Sequence, residues 1–276
     1  MKPVFTVSQT SVSLRGTPVP GAEDRQRKIA GFAQAVFSRS SLLCIGAGGL
    51  ISHVAPTLVR KGIGRITILD DDFVEPSNLN RQRFYTKDLG KPKAVALAEN
   101  LQPECIAGTE IRGLAVRLEE AIASGLDLAC DIAICGVDNN PARVAASRYF
   151  RFQGVPVIFT AVSRDGDHGY VFVQEKHGPC IGCLFPDMAD DDRYPCPGTP
   201  AIADILQAVG ALAIYAIDTL LMGRERNWNY RRISLSDSLG DGAAVLADRP
   251  GCRMFKPAGR QASLESDSHH RKGEQR

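Results

Sequence analysis

The sequence carries almost no net charge, because 33 lysines and arginines nearly balance 31 aspartates and glutamates and leave a formal +2. It therefore lacks the basic field that attracts nucleic acid or an acidic membrane surface. The first residues also lack the continuous apolar stretch of a secretory signal. We accordingly expect a cytoplasmic protein that binds neither nucleic acid nor a membrane.

A long, uninterrupted apolar run is missing as well. The longest apolar segment, residues 201–222, is interrupted by Asp204, Gln207 and Asp218, which the interior of a bilayer disfavours. We expect a buried or interfacial helix there. In a chain without an export signal, the eight cysteines indicate reduced thiols that serve as metal ligands, nucleophiles or small hydrophobic side chains.

The order of apolar and polar segments predicts an α/β protein. Strand-like and helical patterns alternate, which indicates a Rossmann-like, doubly wound and mostly parallel sheet with antiparallel strands added late. We expect a flexible N-terminal arm over residues 1–20, the α/β domain over 21–255, and a polar, disordered tail over 256–276. A short helix over about 25–37 should lead into the first strand of the domain.

A strand, a glycine turn, a helix and a second strand follow one another between Ser41 and Asp70. The turn contains Gly46, Gly48 and Gly49, and the second strand closes on the acid. Such a unit seats an adenosine, because the N–H groups at the start of the helix face the phosphates and the carboxylate accepts from the ribose hydroxyls. Redox enzymes share this unit, so it does not by itself identify ATP as the ligand.

The polar loop after the second strand points to a triphosphate. It contains Asn78–Arg83, read as Asn-Leu-Asn-Arg-Gln-Arg, followed by Gly90–Lys93 at the start of a helix. Arg81 could hold a phosphate through two parallel hydrogen bonds, and Lys93 could act as a point charge near the phosphorus under attack. The alternative for Lys93 is a solvated helix start.

Asp138 lies directly after a short apolar strand. Ligands of open α/β sheets bind at such strand ends, and a carboxylate there suits Mg²⁺, which takes one or two carboxylates plus phosphate oxygens and waters. The alternative is a structural role as N-cap of the helix that Pro141 opens. Asn139 or Asn140 could fill that position instead.

Together these residues resemble the ubiquitin-activating (E1-like) adenylyltransferases of the ThiF–MoeB type, which include the bacterial thiamine and molybdopterin sulfur-carrier activators. The resemblance covers about residues 25–222. The matching motifs, in chain order, are Gly46–Leu50, Asp70-x-Asp72, Ser77–Gln82, Gly90–Lys93 and Val137–Asn139.

The resemblance implies ATP-dependent adenylation of the C-terminal glycine carboxylate of a ubiquitin-like or sulfur-carrier β-grasp protein that ends in Gly-Gly, with release of pyrophosphate. It also implies a homodimer whose interface includes the helix over 201–222. The residues that it assigns to ATP, with Asp138 also holding Mg²⁺, are Gly46, Gly48, Gly49, Asp70, Asp72, Asn78, Arg81, Gln82, Lys93 and Asp138. Arg81, Lys93 and Asp138 would be catalytic, together with Arg25 and Cys196. Arg25, or else Arg27, would reach the ATP of the partner subunit, unless both lie on a solvated helix face.

Four cysteine positions remain to be assigned. Cys180 and Cys183 have the spacing of a zinc knuckle. The family often adds a second Cys-x-x-Cys pair, of which this chain keeps Cys252 and replaces the other cysteine by Phe255. Zinc could take a fourth ligand from Cys196 or His177, keep three, or be lost. Cys196 itself resembles the crossover-loop cysteine that forms a thioester or persulfide with the carrier; it could also be a zinc ligand or a bystander thiol.

Two rival functions fit part of the sequence. An E1-like, dehydratase-type enzyme that modifies tRNA would use the same scaffold, although the near-neutral charge argues against an RNA-binding face. An NAD-dependent oxidoreductase would explain the glycine turn and Asp70. It would leave the Asn-Arg-Gln loop and the cysteine pair without a role.

Overall fold

The computed structural model of the chain describes residues 10–186, 188, 201–236, 240–252 and 254. Within these residues nine strands form one sheet in the order β1-β4-β3-β2-β5-β6-β7-β8-β9. The strands are β1 (Ser11–Arg15), β2 (Ser41–Ile45), β3 (Arg65–Leu69), β4 (Glu110–Leu114), β5 (Ile132–Cys135), β6 (Val157–Val162), β7 (His168–Gln174), β8 (Tyr230–Ser234) and β9 (Gly242–Ala244). The helices are α1 (Gln34–Phe37), α2 (Gly49–Arg60), α3 (Lys93–Leu101), α4 (Leu118–Ala123), α5 (Asn140–Gln153), α6 (Ile181–Leu184) and α7 (Ala203–Leu221).

The centre of the sheet is parallel and its edges are antiparallel. Strands β4, β3, β2, β5 and β6 pair in parallel, whereas β1 joins one edge and β7, β8 and β9 extend the other, all antiparallel. After β2 the chain adds β3 and then β4 on one side of β2. It then crosses to the other side of β2, where β5 and β6 follow. The strand order therefore reverses between β2 and β5, the place where doubly wound sheets open a binding crevice. The predicted fold class is confirmed.

The central strands are buried on both faces, which explains their unbroken apolar runs. Leu42 and Cys44 of β2 face a core formed with α2, α3 and α7, while Leu43 and Ile45 face a second core formed with α4, α5 and α6. Because successive side chains of a strand point to opposite faces, one apolar strand serves both layers. The rigid sheet fixes the strand ends that carry the functional side chains.

The N-terminal region differs from the sequence-based expectation. Residues 11–15 fall within the predicted flexible arm but form β1, which pairs with β4 at the sheet edge. The helix expected over about 25–37 is divided into a 3₁₀ turn, Gln26–Lys28, and the short α1. Gly31 lies between them with a φ of 75°, a left-handed conformation that ends a helix. The predicted tail over 256–276 lies outside the described residues.

Helix α7 is the one described helix that is long and apolar enough to cross a bilayer by length and composition. Ile205, Val209, Ala213 and Ile217 repeat along one side and are buried in the core that α7 shares with α2. This spacing is the apolar stripe of a helix packed on a domain core. The expectation of a buried helix at this position is confirmed.

Candidate active site

The glycine turn between β2 and α2 forms one wall of the site. Gly46 has a φ of 94°, a conformation that favours glycine, and a Cβ at Gly49 would lie 2.7 Å from Leu206 Cδ1, so a larger residue there would displace the Leu206 side chain. A Cβ at Gly48 would meet no atom within 4 Å. Gly48 is the N-cap of α2, and because it has no side chain the start of this helix has no side-chain cap. The open space beside it therefore faces the positive end of a 12-residue helix, which favours an anion.

Asp70 connects the glycine turn to the polar loop. Its Oδ2 accepts a hydrogen bond from Ala47 N at 2.6 Å, and its Oδ1 accepts one from Asp72 N at 2.8 Å. Burial raises the pKa of Asp70 to about 6, although these hydrogen bonds and the charge of Lys93 act in the opposite direction. Each carboxylate oxygen keeps a second lone pair, so Asp70 can still accept from a ribose hydroxyl.

Lys93 lies at the start of α3 and forms an ion pair with Asp72, with 2.8 Å between Nζ and Oδ2. The side chain of Lys93 is only 10% exposed, whereas that of Asp72 is 67% exposed. The backbone of the two residues is also joined, because Lys93 N donates to Asp72 O at 2.8 Å. The burial of this ammonium contradicts the alternative of a solvated helix start.

The loop after β3 places the remaining phosphate candidates. Asn78 is buried, and its Oδ1 accepts from Glu75 N at 3.0 Å, so the residue also shapes the loop. Arg81 Nη1 donates to Ser77 O at 2.6 Å and to Asn80 Oδ1 at 3.0 Å. One amino group of the Arg81 guanidinium therefore contacts its own loop, while the residue lines the cleft.

Asp138 is exposed directly beyond β5. The cap of α5 is Asn139, whose Oδ1 accepts from Ala142 N at 2.9 Å. The alternative structural role for Asp138, the helix N-cap, is therefore wrong.

All ten residues predicted to bind ATP line a single cleft of about 1620 Å³. These residues are Gly46, Gly48, Gly49, Asp70, Asp72, Asn78, Arg81, Gln82, Lys93 and Asp138. The cleft lies beyond the carboxyl ends of β2, β3 and β5, where the strand order reverses. Arg25 is exposed beside the 3₁₀ turn and is not among the described residues that line the cleft. Its reach into a partner subunit stays a prediction.

Sequence reasoning missed Arg143, a buried arginine at the cleft that contacts β6, β7 and the segment directly after β5. Its Nη2 donates to Val137 O at 2.8 Å and to Thr160 O at 3.0 Å, and its Nη1 donates to Tyr170 OH at 2.9 Å. A further bond from Nε to Val137 O fixes the backbone next to Asp138. Arg143 lies on the buried face of α5 with Ser147 and Phe150, but no local pattern marks an arginine at this position as buried.

Three thiols converge at one side of α6. Cys180 Sγ lies 3.7 Å from Cys183 Sγ and 3.5 Å from Cys252 Sγ. Zn–S bonds of about 2.3 Å place tetrahedral sulfur ligands about 3.8 Å apart, so the three thiols fit one zinc ion. Arg249 N donates to Cys183 Sγ at 3.4 Å. His177 does not belong to this cluster, and Cys196 and Phe255 lie outside the described residues.

A Rossmann-like sheet with a glycine turn and with Arg81 and Lys93 lining the cleft at its switch point is typical of a nucleotide-binding α/β protein. The ThiF family model matches residues 23–252, and the chain belongs to this family.

Relatives with assigned names cover different parts of the chain. The sulfur carrier protein adenylyltransferase of Thermus thermophilus is 32% identical over 190 residues, which are 66% of this chain and 70% of that protein. The SAMP-activating enzyme E1 of Haloferax volcanii is 29% identical, over 60% of this chain and 61% of its own length. The MOCS3 adenylyltransferase and sulfurtransferase of Xenopus laevis is 31% identical, over 86% of this chain and 59% of its own length. The chain thus spans about three fifths of the last two relatives.

Solved structures share the fold. A crystal structure of E. coli MccB with ATP has a TM-score of 0.65 and 19% sequence identity, over 80% of this chain and 68% of that one. At 19% identity this similarity shows a shared fold and nothing further.

Proposed function

We propose that this protein is an adenylyltransferase that uses ATP and Mg²⁺ to activate the C-terminal glycine carboxylate of a ubiquitin-like or sulfur-carrier protein. The observation that carries this proposal is the meeting of the ten predicted nucleotide residues in one cleft. The names of the relatives from Thermus thermophilus and Haloferax volcanii agree with it. The rival oxidoreductase has no use for the buried cation Lys93 or for the thiol cluster.

The reaction forms one O–P bond and breaks another. A carboxylate oxygen of the carrier attacks the α-phosphorus of ATP, the bond to the bridging α–β oxygen breaks, and pyrophosphate leaves with that electron pair. The carboxylate is already ionised at neutral pH, so no general base is required. The protein contributes positioning and charge: Arg81 and Asn78 hold phosphate oxygens, and Lys93 stabilises the charge that develops around phosphorus.

Asp138 is the residue that would hold Mg²⁺. Its carboxylate is exposed at a strand end and does not cap α5. It lies in the cleft with the residues proposed to bind phosphate, which fits an ion that takes few protein ligands. When bound, Mg²⁺ supplies positive charge that neutralises the phosphate oxygens. Arg143 keeps the backbone before Asp138 in place through Val137 O.

The carrier tail would enter along the wall opposite the nucleotide. That wall contains Thr160, Ala161, Tyr170 and Phe185. The rings of Tyr170 and Phe185 pack against each other with 5.6 Å between their centroids, and they would form an apolar surface along which an extended tail ending in glycines would lie. The tail would then present its carboxylate to the phosphates near Asp138.

A homodimer and a zinc ion complete the proposal. Ile202 and Tyr215 of the α7 region are 50% and 47% exposed, and they would pack against the partner subunit, whose ATP Arg25 would reach. Cys180, Cys183 and Cys252 would hold structural zinc, with a fourth ligand from outside the described residues. Cys196 would take the activated carrier in a later thiol-transfer step.

The test is ATP–pyrophosphate exchange with a panel of β-grasp carriers that end in Gly-Gly. Exchange should require a carrier, and removal of the terminal glycine should abolish it. Asp138→Ala and Lys93→Ala should each lower the exchange rate by about 10²-fold or more. Asp24→Ala and Lys176→Ala, which change exposed residues outside the cleft lining, are the matched controls and should exchange as the wild type does.

Two results would contradict the proposal. One is carrier-independent exchange that both cleft variants retain. The other is absence of exchange with every carrier, together with tight NAD(H) binding or activation of a tRNA.

A further inference from the structure

A half-buried histidine on α2, His53, connects that helix to the loop that carries Arg81. Its Nε2 lies 3.0 Å from the backbone oxygen of Arg81, and its Nδ1 lies 3.4 Å from Nε of Arg83. The backbone oxygen can only accept and the guanidinium can only donate. The ring therefore makes both bonds only as a neutral imidazole with its hydrogen on Nε2.

The surroundings of His53 favour the neutral form. Burial lowers the pKa of His53; the bond to Arg81 O acts in the opposite direction, and the charge of Arg83 adds to the effect of burial. Helix α7 approaches the histidine at Gly210, where a Cβ would lie 3.9 Å from His53 Cβ. That neighbour carries no charge, so it does not oppose the neutral state.

The bond from His53 acts on Arg81 differently from the bonds of the Arg81 side chain. The guanidinium contacts Ser77 and Asn80 of its own loop, and those bonds move with the loop. His53 belongs to α2, whose first turn faces the nucleotide cleft. A second bond from the same helix, in which Arg83 N donates to Ser52 Oγ at 3.2 Å, supports the adjacent backbone.

We propose that His53 is a positioning residue that fixes the backbone of Arg81 relative to the glycine turn, so that the guanidinium can reach the triphosphate. His53 is not among the described residues that line the cleft, and it therefore acts through Arg81. The inference rests on the proposed function, because it takes Arg81 to be a phosphate ligand.

The experiment compares Mg–ATP affinity in His53→Leu and His53→Gln by calorimetry. Leucine removes both hydrogen bonds, and we expect the Kd for Mg–ATP to rise on the order of fivefold, the value of one net hydrogen bond. Glutamine offers an N–H to Arg81 O and an oxygen to Arg83, and it should restore most of the affinity. Thermal unfolding of both variants shows whether they remain folded at the assay temperature.

A double-mutant cycle separates positioning from general destabilisation. In an Arg81→Ala background, His53→Leu should have no further effect on the Kd, because the side chain that it positions is gone. Additive effects, or a wild-type Kd in His53→Leu, would overturn the inference. If the cycle shows the expected coupling while no carrier supports pyrophosphate exchange, the inference stands and the proposed function fails.

Discussion

The two walls of the cleft are built in different ways. The wall that faces the nucleotide comes from residues 45–143, and most of its polar side chains follow a strand end or begin a helix, whereas Arg81 and Gln82 lie in the loop between β3 and α3. The other wall comes from residues 160–170, 185, 186 and 188 and lies beside the thiol cluster. In that cluster Cys180 contacts Cys252, which lies 72 residues later in the chain. The first wall therefore depends on short local motifs, and the second depends on contacts between distant parts of the chain.

Arg143 is the point at which the two walls are joined, so its removal should have the largest effect on stability. Arg143→Leu removes the guanidinium that donates to the carbonyl oxygens of Val137 and Thr160 and to the hydroxyl oxygen of Tyr170. We expect the free energy of unfolding to fall by about 3 kcal/mol, measured by urea denaturation.

The control for this prediction is Arg148→Leu, on the same helix. Arg148 is exposed, and its Nε donates to Met254 O at 3.2 Å. Its loss should cost about 0.5 kcal/mol. Equal losses for the two variants would mean that Arg143 does not join the walls.

Replacing one cysteine of the thiol cluster tests whether the second wall can lose stability while the first wall still binds Mg–ATP. Cys180→Ser should release zinc and lower the free energy of unfolding by about 2 kcal/mol, while the Kd for Mg–ATP stays within about twofold. Zinc content by elemental analysis and calorimetry measure the two effects. The Cys130→Ser variant, whose substitution lies outside the cluster, should bind zinc as the wild type does. Absence of zinc from the wild-type protein, or a loss of ATP affinity that accompanies the loss of zinc, would contradict the independence of the two walls.

The pH dependence of ATP binding gives the smallest expected effect and concerns the first wall alone. Burial raises the pKa of Asp70 to about 6, so the carboxylate gains a proton as the pH falls through that value. Protonation converts one acceptor into a donor opposite a backbone N–H, which loosens the glycine turn. We expect the KM for ATP to rise about threefold between pH 7 and pH 5. Asp70→Asn should have a higher KM that does not change over this range, and a flat wild-type profile would refute the role of Asp70.

The nucleotide wall could be predicted from the sequence because its chemistry is encoded within short segments. Glycines at fixed spacing, an acid at a strand end and Lys93 at a helix start each have a local physical reason. Their meeting in one place follows from parallel strands, whose carboxyl ends share one edge of the sheet. The sequence also indicated Asn139 as one of the possible N-cap residues of the helix that Pro141 opens.

The remaining features depend on tertiary contacts that no local pattern reveals. The pairing of β1 with β4 joins segments about 100 residues apart, and the sequence suggested only a loose arm. The break at Gly31 replaces a helix whose periodicity looked continuous. Arg143 was missed because a charged residue on a helix is ordinarily solvated, and only the acceptors that Val137, Thr160 and Tyr170 supply make its burial favourable.

The central claim is that segments far apart in the sequence form one nucleotide site. Amide hydrogen exchange with and without Mg–ATP tests it most directly, because it reports each segment separately. The account predicts that Mg–ATP protects residues 46–50, 78–83 and 138–142 together, while β8 and β9 exchange as before. Protection confined to one of the three segments, or located at the thiol cluster instead, would contradict it.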